Sequence, residues 1–210
     1  MRVIAGSAKG RTLHVPPAGT ETRPTTDKVR EALFNVLGPV DDLVALDLFA
    51  GTGALGIEAL SRGARSCAFV EASDKLCATI RRNLADCRFE SRAKIAQRDV
   101  RRFIDKGPSA APDAPFDLVF MDPPYMHGHE QYALDALVAR EGWLREGATV
   151  VVERATRDAI VWSAVVREAF GDGDGPYEKE YGDTTLVFWF AFGARASEPL
   201  SERQAPRANE

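Results

Sequence analysis

From residue 43 onward, short apolar runs alternate with stretches whose apolar residues recur every three or four positions. The runs read as buried strands and the stretches as amphipathic helices. Strands are predicted at residues 43–49, 66–71, 93–97, 116–121 and 148–153. Helices are predicted at 54–61, ending before Gly63, and from a Ser73 cap through Leu76, Ile80 and Leu84. Further helices are predicted around 100–104, at 131–139 and near 158–170, and residues 108–115 form a loop of Pro, Ala and Ser. Strands apolar on both faces, separated by helices, predict a parallel sheet covered on both sides. The rhythm breaks near the end, where 177–181 and 185–192 flank Gly182-Asp183-Thr184 and predict an antiparallel hairpin.

The first forty residues follow another pattern. Residues 2–5 and 11–15 read as two short strands around Gly6-Ser7-Ala8-Lys9-Gly10, and Pro16-Pro17-Ala18-Gly19 ends that hairpin. Thr25 or Thr26 then caps a helix whose apolar stripe is Val29, Ala32, Leu33, Val36 and Leu37, stopped by Gly38-Pro39. The expected architecture is an α/β, Rossmann-like fold. It has a seven-stranded, mostly parallel sheet with helices on both faces, a C-terminal antiparallel hairpin and a small N-terminal hairpin-plus-helix extension. The expected division is residues 1–40 for the extension and 41–193 for the main domain. Residues 194–210, polar and Pro-containing, are expected to form a disordered tail.

Composition narrows the class. The 210 residues are 45% hydrophobic and 28% charged, which suits one soluble domain. No apolar run is long enough to span a bilayer and the N-terminus lacks an apolar leader, so a cytoplasmic protein without membrane contact is expected. Cys67, Cys77 and Cys87 have no metal-ligand spacing and read as free buried thiols. The net charge of -4 argues against a nucleic-acid partner until its distribution is considered. Residues 1–40 carry Arg2, Lys9, Arg11, Arg23, Lys28 and Arg30 against Glu21, Asp27 and Glu31, a local +3. Lys9, Arg11, Arg23 and Arg30 are therefore candidates to contact RNA phosphates. A second basic run, from Arg81 to Arg102, reads as a solvated helix face with its flanking loops.

The chemistry sits in two loops. Asp47-Leu48-Phe49-Ala50-Gly51-Thr52-Gly53-Ala54-Leu55-Gly56 joins the first sheet strand to a helix, and Glu71 ends the next strand. Glycines at this spacing bring backbone close to a ligand, and an acid at the Glu71 position suits ribose hydroxyls. The loop alone permits NAD, FAD or S-adenosylmethionine. Asp47 favours the last, because a carboxylate repels a pyrophosphate but not a cationic sulfonium and ammonium. Asp99, just past the third strand, is placed to accept from the adenine amine.

Asp122-Pro123-Pro124-Tyr125 follows the fourth strand, at the crevice where doubly wound sheets bind ligands. A base amine is a weak nucleophile because its lone pair is delocalised. Two fixed acceptors, the Asp122 carboxylate and the Pro123 carbonyl, can draw its nitrogen towards tetrahedral geometry, and the Tyr125 ring offers a stacking face. Methyl transfer to such an amine needs no metal. His127 and His129 have no third ligand and read as part of a loop.

Residues 47–53 resemble methyltransferase motif I, and 122–125 resemble motif IV of the amino-methyltransferases. Residues 1–11, the run Arg23-Pro24-Thr25-Thr26-Asp27-Lys28-Val29-Arg30-Glu31-Ala32-Leu33-Phe34-Asn35 and Tyr181-Gly182-Asp183-Thr184 resemble the RsmD family. The likeness covers roughly residues 1–190. Its members are bacterial 16S ribosomal RNA guanine-N2 methyltransferases with the class I fold. The resemblance implies S-adenosyl-L-methionine as cofactor, touched by Gly51, Gly53, Glu71 and Asp99. It implies that Asp122, Pro123 and Tyr125 hold the guanine and that Arg23 and Thr26 lie beside the active site, Thr26 on the cofactor side. The implied partner is small-subunit ribosomal RNA, free or in a partly assembled subunit. A DNA adenine-N6 or cytosine-N4 methyltransferase and a non-catalytic RNA-binding assembly factor remain alternatives at this point.

Overall fold

The computed structural model describes residues 1–15, 25–123, 129–158, 160–171, 175–190 and 192. Its helices are α1 (Asp27–Leu37), α2 (Ala54–Ser61), α3 (Asp74–Cys87), α4 (Val100–Asp105), α5 (His129–Ala139) and α6 (Ala164–Phe170). Its strands are β1 (Val44–Leu48), β2 (Ser66–Glu71), β3 (Ala93–Gln97), β4 (Phe116–Met121), β5 (Leu144–Ala155), β6 (Tyr177–Tyr181) and β7 (Thr184–Trp189). The strands form one seven-stranded sheet in the order β3-β2-β1-β4-β5-β7-β6. The first five in that order run parallel, β7 is antiparallel to β5, and β6 is antiparallel to β7. The winding reverses between β1 and β4, which opens a crevice at their C-terminal ends.

Period-two alternation divides the strand residues between two apolar layers. Ala45, Phe69, Leu118 and Phe120 pack with Leu33 and Phe34 of α1, Ile57 and Leu60 of α2, and Ile80 and Leu84 of α3. Leu46, Leu48, Val70 and Val119 pack with Phe103 of α4, Leu134 and Leu137 of α5, and Val166 of α6. All three cysteines are buried and free. Among the described residues no helix is long and apolar enough to cross a membrane.

The N-terminal hairpin departs from expectation: a single antiparallel bridge, Arg2 with Thr12, replaces two strands. The cause is competition for backbone donors. Ile4 and Ala5 donate their N–H groups to the Glu58 carboxylate at 2.8 and 2.9 Å, and Ala8 donates to Ser61 Oγ at 3.0 Å. Those donors are engaged on α2 and cannot build a ladder. Gly6 makes the docking possible: its φ is +79°, and a Cβ there would lie 1.8 Å from the Ser61 carbonyl oxygen.

Three other expectations change. The helix near 158–170 begins only at Ala164, where Ser163 Oγ accepts from Val166 N at 3.2 Å. His129 is the first residue of α5 rather than part of a loop. β5 extends to Leu144 and Ala155 because it pairs with Phe116 at one end and with Thr184 of β7 at the other. The turn at 16–19, His127 and the tail from 194 onward lie outside the described residues.

Candidate active site

β1 runs straight into the glycine loop. Phe49 turns the chain with φ +59°, a left-handed conformation costly for a residue with a side chain, and Gly51 follows at +55°. Gly53, at φ +78°, is the N-cap of α2. A Cβ on Gly51 would meet only the Phe49 carbonyl, at 3.9 Å, so the loop borders open space that a side chain would begin to fill. Glu71, at the end of β2, grips the loop: one carboxylate oxygen accepts from Gly51 N at 2.9 Å and the other from Ser73 N at 2.8 Å. Asn83 of α3 supports it from below, donating to the Thr52 carbonyl at 3.0 Å and to the His14 carbonyl at 3.1 Å.

Asp47 is 2% exposed and accepts from Gly56 N at 2.9 Å. Burial drives its pKa up from 3.8 to about 8; the Gly56 bond opposes that, and the Glu71 carboxylate adds to it. Asp99 is exposed and caps α4, accepting from Arg102 N at 3.0 Å. The glycine loop, its open border and the acids around it fit an adenosyl ligand with a cationic end.

The crevice's other wall is β4, followed by Asp122 and Pro123. In the register, Asp47 lies beside Phe120, and Met121 beside Val152 of β5. One step further along, Asp122, just past β4, and Glu153, within β5, lie side by side on the face covered by α1. Thr25, immediately before α1, fills the angle between them: its Oγ1 lies 2.8 Å from Glu153 Oε2 and 3.3 Å from Asp122 Oδ2. Thr25 and Glu153 are buried, whereas Asp122 and the Gly51 loop keep some exposure. Loss of hydration, then the nearby Glu153 charge, raise the Asp122 pKa well above the carboxylate range. Thr25 pulls it down, and Asp47 adds a smaller upward push.

The structure thus gathers Asp47, Gly51, Gly53, Glu71, Asp122 and Pro123 around one crevice. Thr26 is the residue of the expected pair that caps α1, its hydroxyl accepting from Val29 N at 3.3 Å, while its neighbour Thr25 reaches the crevice. Arg30 is corrected outright as a phosphate contact. It is 0% exposed, donates to Asp27 Oδ1 at 2.9 Å and to the Arg2 carbonyl, and lies 3.8 Å from Glu58. Glu58, 1% exposed, also takes Arg62 Nε at 2.8 Å, so these charges form an internal clasp between α1, α2 and the N-terminus. Lys9 and Arg11 are exposed. Arg23 and Tyr125 lie outside the described residues.

Sequence reading missed Thr25 as a crevice residue, Glu153, and the clasp acid Glu58. A signal existed for two of them. Glu153 ends an apolar strand as Asp122 follows one, and Glu58 is the one acid in the otherwise uncharged stretch ALGIEALS.

A switch-point crevice with a glycine loop after one strand and Asp122-Pro123 after the next, in a sheet whose last strand pair is antiparallel, defines a class I, S-adenosylmethionine-dependent methyltransferase. A family model described as "Conserved hypothetical protein 95" matches residues 1–189. The chain belongs to that family, the RsmD methyltransferases. It is 44% identical over 154 residues to the putative rRNA methyltransferase YlbH of Bacillus subtilis, spanning 73% of this chain and 82% of that one. It is 37% identical over 161 residues to ribosomal RNA small subunit methyltransferase D of Escherichia coli, spanning 76% and 77%. Among solved structures, the putative methyltransferase yhhF from Escherichia coli superposes with a TM-score of 0.74 at 30% identity, covering 92% of this chain and 99% of that one.

Proposed function

We propose that the protein methylates the exocyclic N2 amine of a guanine in 16S ribosomal RNA, in the cytoplasm, on free or partly assembled small-subunit RNA. The observation that carries this is the position of Asp122 and Pro123 at the end of β4, one strand from the glycine loop. The names of the Bacillus and Escherichia relatives support RNA as the substrate class.

Gly51, Gly53 and Glu71 would hold the cofactor's adenosyl part, with Asp47 and Asp99 at its margins. S-adenosylmethionine, when bound, supplies an electrophilic methyl group. Asp122 and the Pro123 carbonyl accept the two N–H groups of the amine and turn its lone pair towards that methyl. Most of the rate gain is positioning and electrostatics. The surplus proton on the methylated nitrogen leaves to Asp122 or to water. Tyr125 stacks on the base, and Arg23 binds RNA beside it. We assign docking of the RNA backbone to residues 1–40, through Lys9, Arg11 and Arg2. Arg2 and Lys9 border a cleft of about 400 Å³ shared with Lys28, Asp27 and Glu31.

The test is mass mapping of methylated nucleotides in small-subunit RNA from a strain lacking this gene. One N2-methylguanine should disappear and return when purified protein and S-adenosylmethionine are added to the deficient particles. An unchanged map, with methyl transfer to duplex DNA instead, would reassign the substrate.

A further inference from the structure

Asn83 is 0% exposed, and its side-chain amide serves two parts of the protein at once. Its Oδ1 accepts from His14 N at 2.7 Å. Its Nδ2 donates one hydrogen to the His14 carbonyl at 3.1 Å and the other to the Thr52 carbonyl at 3.0 Å. The pattern admits one orientation, because a turned amide would face the His14 N–H with N–H groups of its own. The amide thus pairs with His14 as a neighbouring strand would, and also holds the glycine loop at Thr52, between Gly51 and Gly53. We propose that Asn83 is a positioning residue that couples cofactor and RNA. An occupied glycine loop firms the N-terminal segment for RNA, and RNA docked on that segment firms the loop for the cofactor.

This rests on the RNA-docking role given to residues 1–40 above. Arg11 and Lys9 lie three and five residues before His14. The other anchors of their segment, Glu58 and Ser61, belong to α2 and not to the loop. The His14 ring is tied to α3 as well, with Nε2 2.7 Å from Asp86 Oδ2, but that contact ends at the helix surface. The Asn83 bonds reach the loop. Because the amide is buried, dropping either end leaves a polar group unpaired. Order at one end is therefore order at the other. When a ligand stills Thr52 the amide is fixed, and the fixed amide presents Oδ1 to the His14 N–H. The second ligand then meets a segment already ordered and costs less conformational entropy to bind. Such coupling is reciprocal, so each ligand tightens the other by the same factor.

The test compares amide hydrogen exchange of residues 1–13 in the ligand-free protein and with saturating S-adenosylhomocysteine, the demethylated product of the cofactor. In wild type the product should slow exchange in that segment as well as in the glycine loop. Asn83→Ala removes all three bonds. His14→Pro removes only the N–H that Oδ1 accepts, and it decides the matter if Asn83→Ala does not fold. Both variants should lose the slowing in residues 1–13 while the product still protects the loop. His14→Ala loses the Asp86 contact alone and should keep the slowing. A merely structural Asn83 would loosen the segment equally in both ligand states, and the difference between them would survive. Binding of labelled S-adenosylhomocysteine with and without deficient small-subunit particles gives the reciprocal measurement. The particles should tighten it about 5-fold or more in wild type and leave it unchanged in His14→Pro. No slowing in wild type, slowing that persists in both variants, or particles that bind without tightening the product overturns the coupling. Slowing that depends on Asn83 in a protein that binds no small-subunit particle would uphold the link and remove the RNA reading instead.

Discussion

Asp47→Asn isolates the strain that this fold builds into its cofactor strand. Asp47 lies in β1 at 2% exposure, with Gly56 N–H as its one described hydrogen-bond partner. Its pKa is about 8 in the folded protein against 3.8 when unperturbed. Between those values the folded protein keeps a proton that the unfolded chain has lost, so raising the pH favours unfolding. The stability tied to this group is complete below pH ~4 and declines by about 1.4 kcal/mol per pH unit up to pH ~8. Asparagine has no such slope, and its carbonyl oxygen can still accept from Gly56. The stability difference, variant minus wild type, should therefore climb across pH 5–8 by the order of 3–4 kcal/mol and level off above pH ~8. Urea melts at each pH, read from the buried tryptophans Trp143, Trp162 and Trp189, measure it. Calorimetry supplies the functional counterpart: wild-type affinity for S-adenosylmethionine should rise with pH to about 8 and stay flat in the variant, because a cation draws off the Asp47 proton. A stability difference independent of pH would refute the reasoning, since it would mean that Asp47 is ionised in the folded state throughout.

Three further outcomes are expected. Asp122→Ala removes one of two acceptors for the amine, and single-turnover methyl transfer should slow roughly 10²–10³-fold with cofactor affinity largely kept; a near-normal rate would end its orienting role. Lys9→Ala with Arg11→Ala should weaken RNA binding and reduce the slope of log affinity against log salt by ~2, as fluorescence titration at several salt concentrations would show. Arg30→Ala leaves Glu58 buried beside one cation fewer, and should cost about 3–5 kcal/mol in denaturant melts, without the change in salt slope that a phosphate contact would give.

Local signals carried most of the fold. β2, β3, β4, β6 and α2 begin and end where the sequence places them; β4 starts after Pro115, β6 lies between Pro176 and Gly182, and α2 between Gly53 and Gly63. The failures are places where a distant partner decides. The N-terminal strands dissolve because Glu58 takes their N–H groups, a partner more than fifty residues away in the chain. Ile160 and Val161 do not continue α6 upstream: β-branched residues suit a helix start poorly, Ser163 caps the next turn, and Trp162 packs edge-on against Trp189 of β7. The site divides in the same way. Its two motifs are contiguous in sequence and were readable. Thr25 and Glu153 come to Asp122 only through strand register and the seating of α1, and Arg30 looks like any helix-surface cation until the N-terminus folds over it.

The pairing of β1 with β4 bears on how the chain is made. β1 finds β2 soon after both leave the ribosome, but its other neighbour is synthesised only after α2, α3, β3 and α4. Until then one side of Val-Ala-Leu-Asp-Leu is an open apolar edge, the kind of surface that recruits other chains. A nascent chain halted before Phe116 has the glycine loop but neither Asp122 nor Glu153, and it cannot close its own sheet. The two walls of the crevice are thus born apart and joined by a single docking of strands, which assembles the reactive corner in the same step that hides the apolar edge of β1.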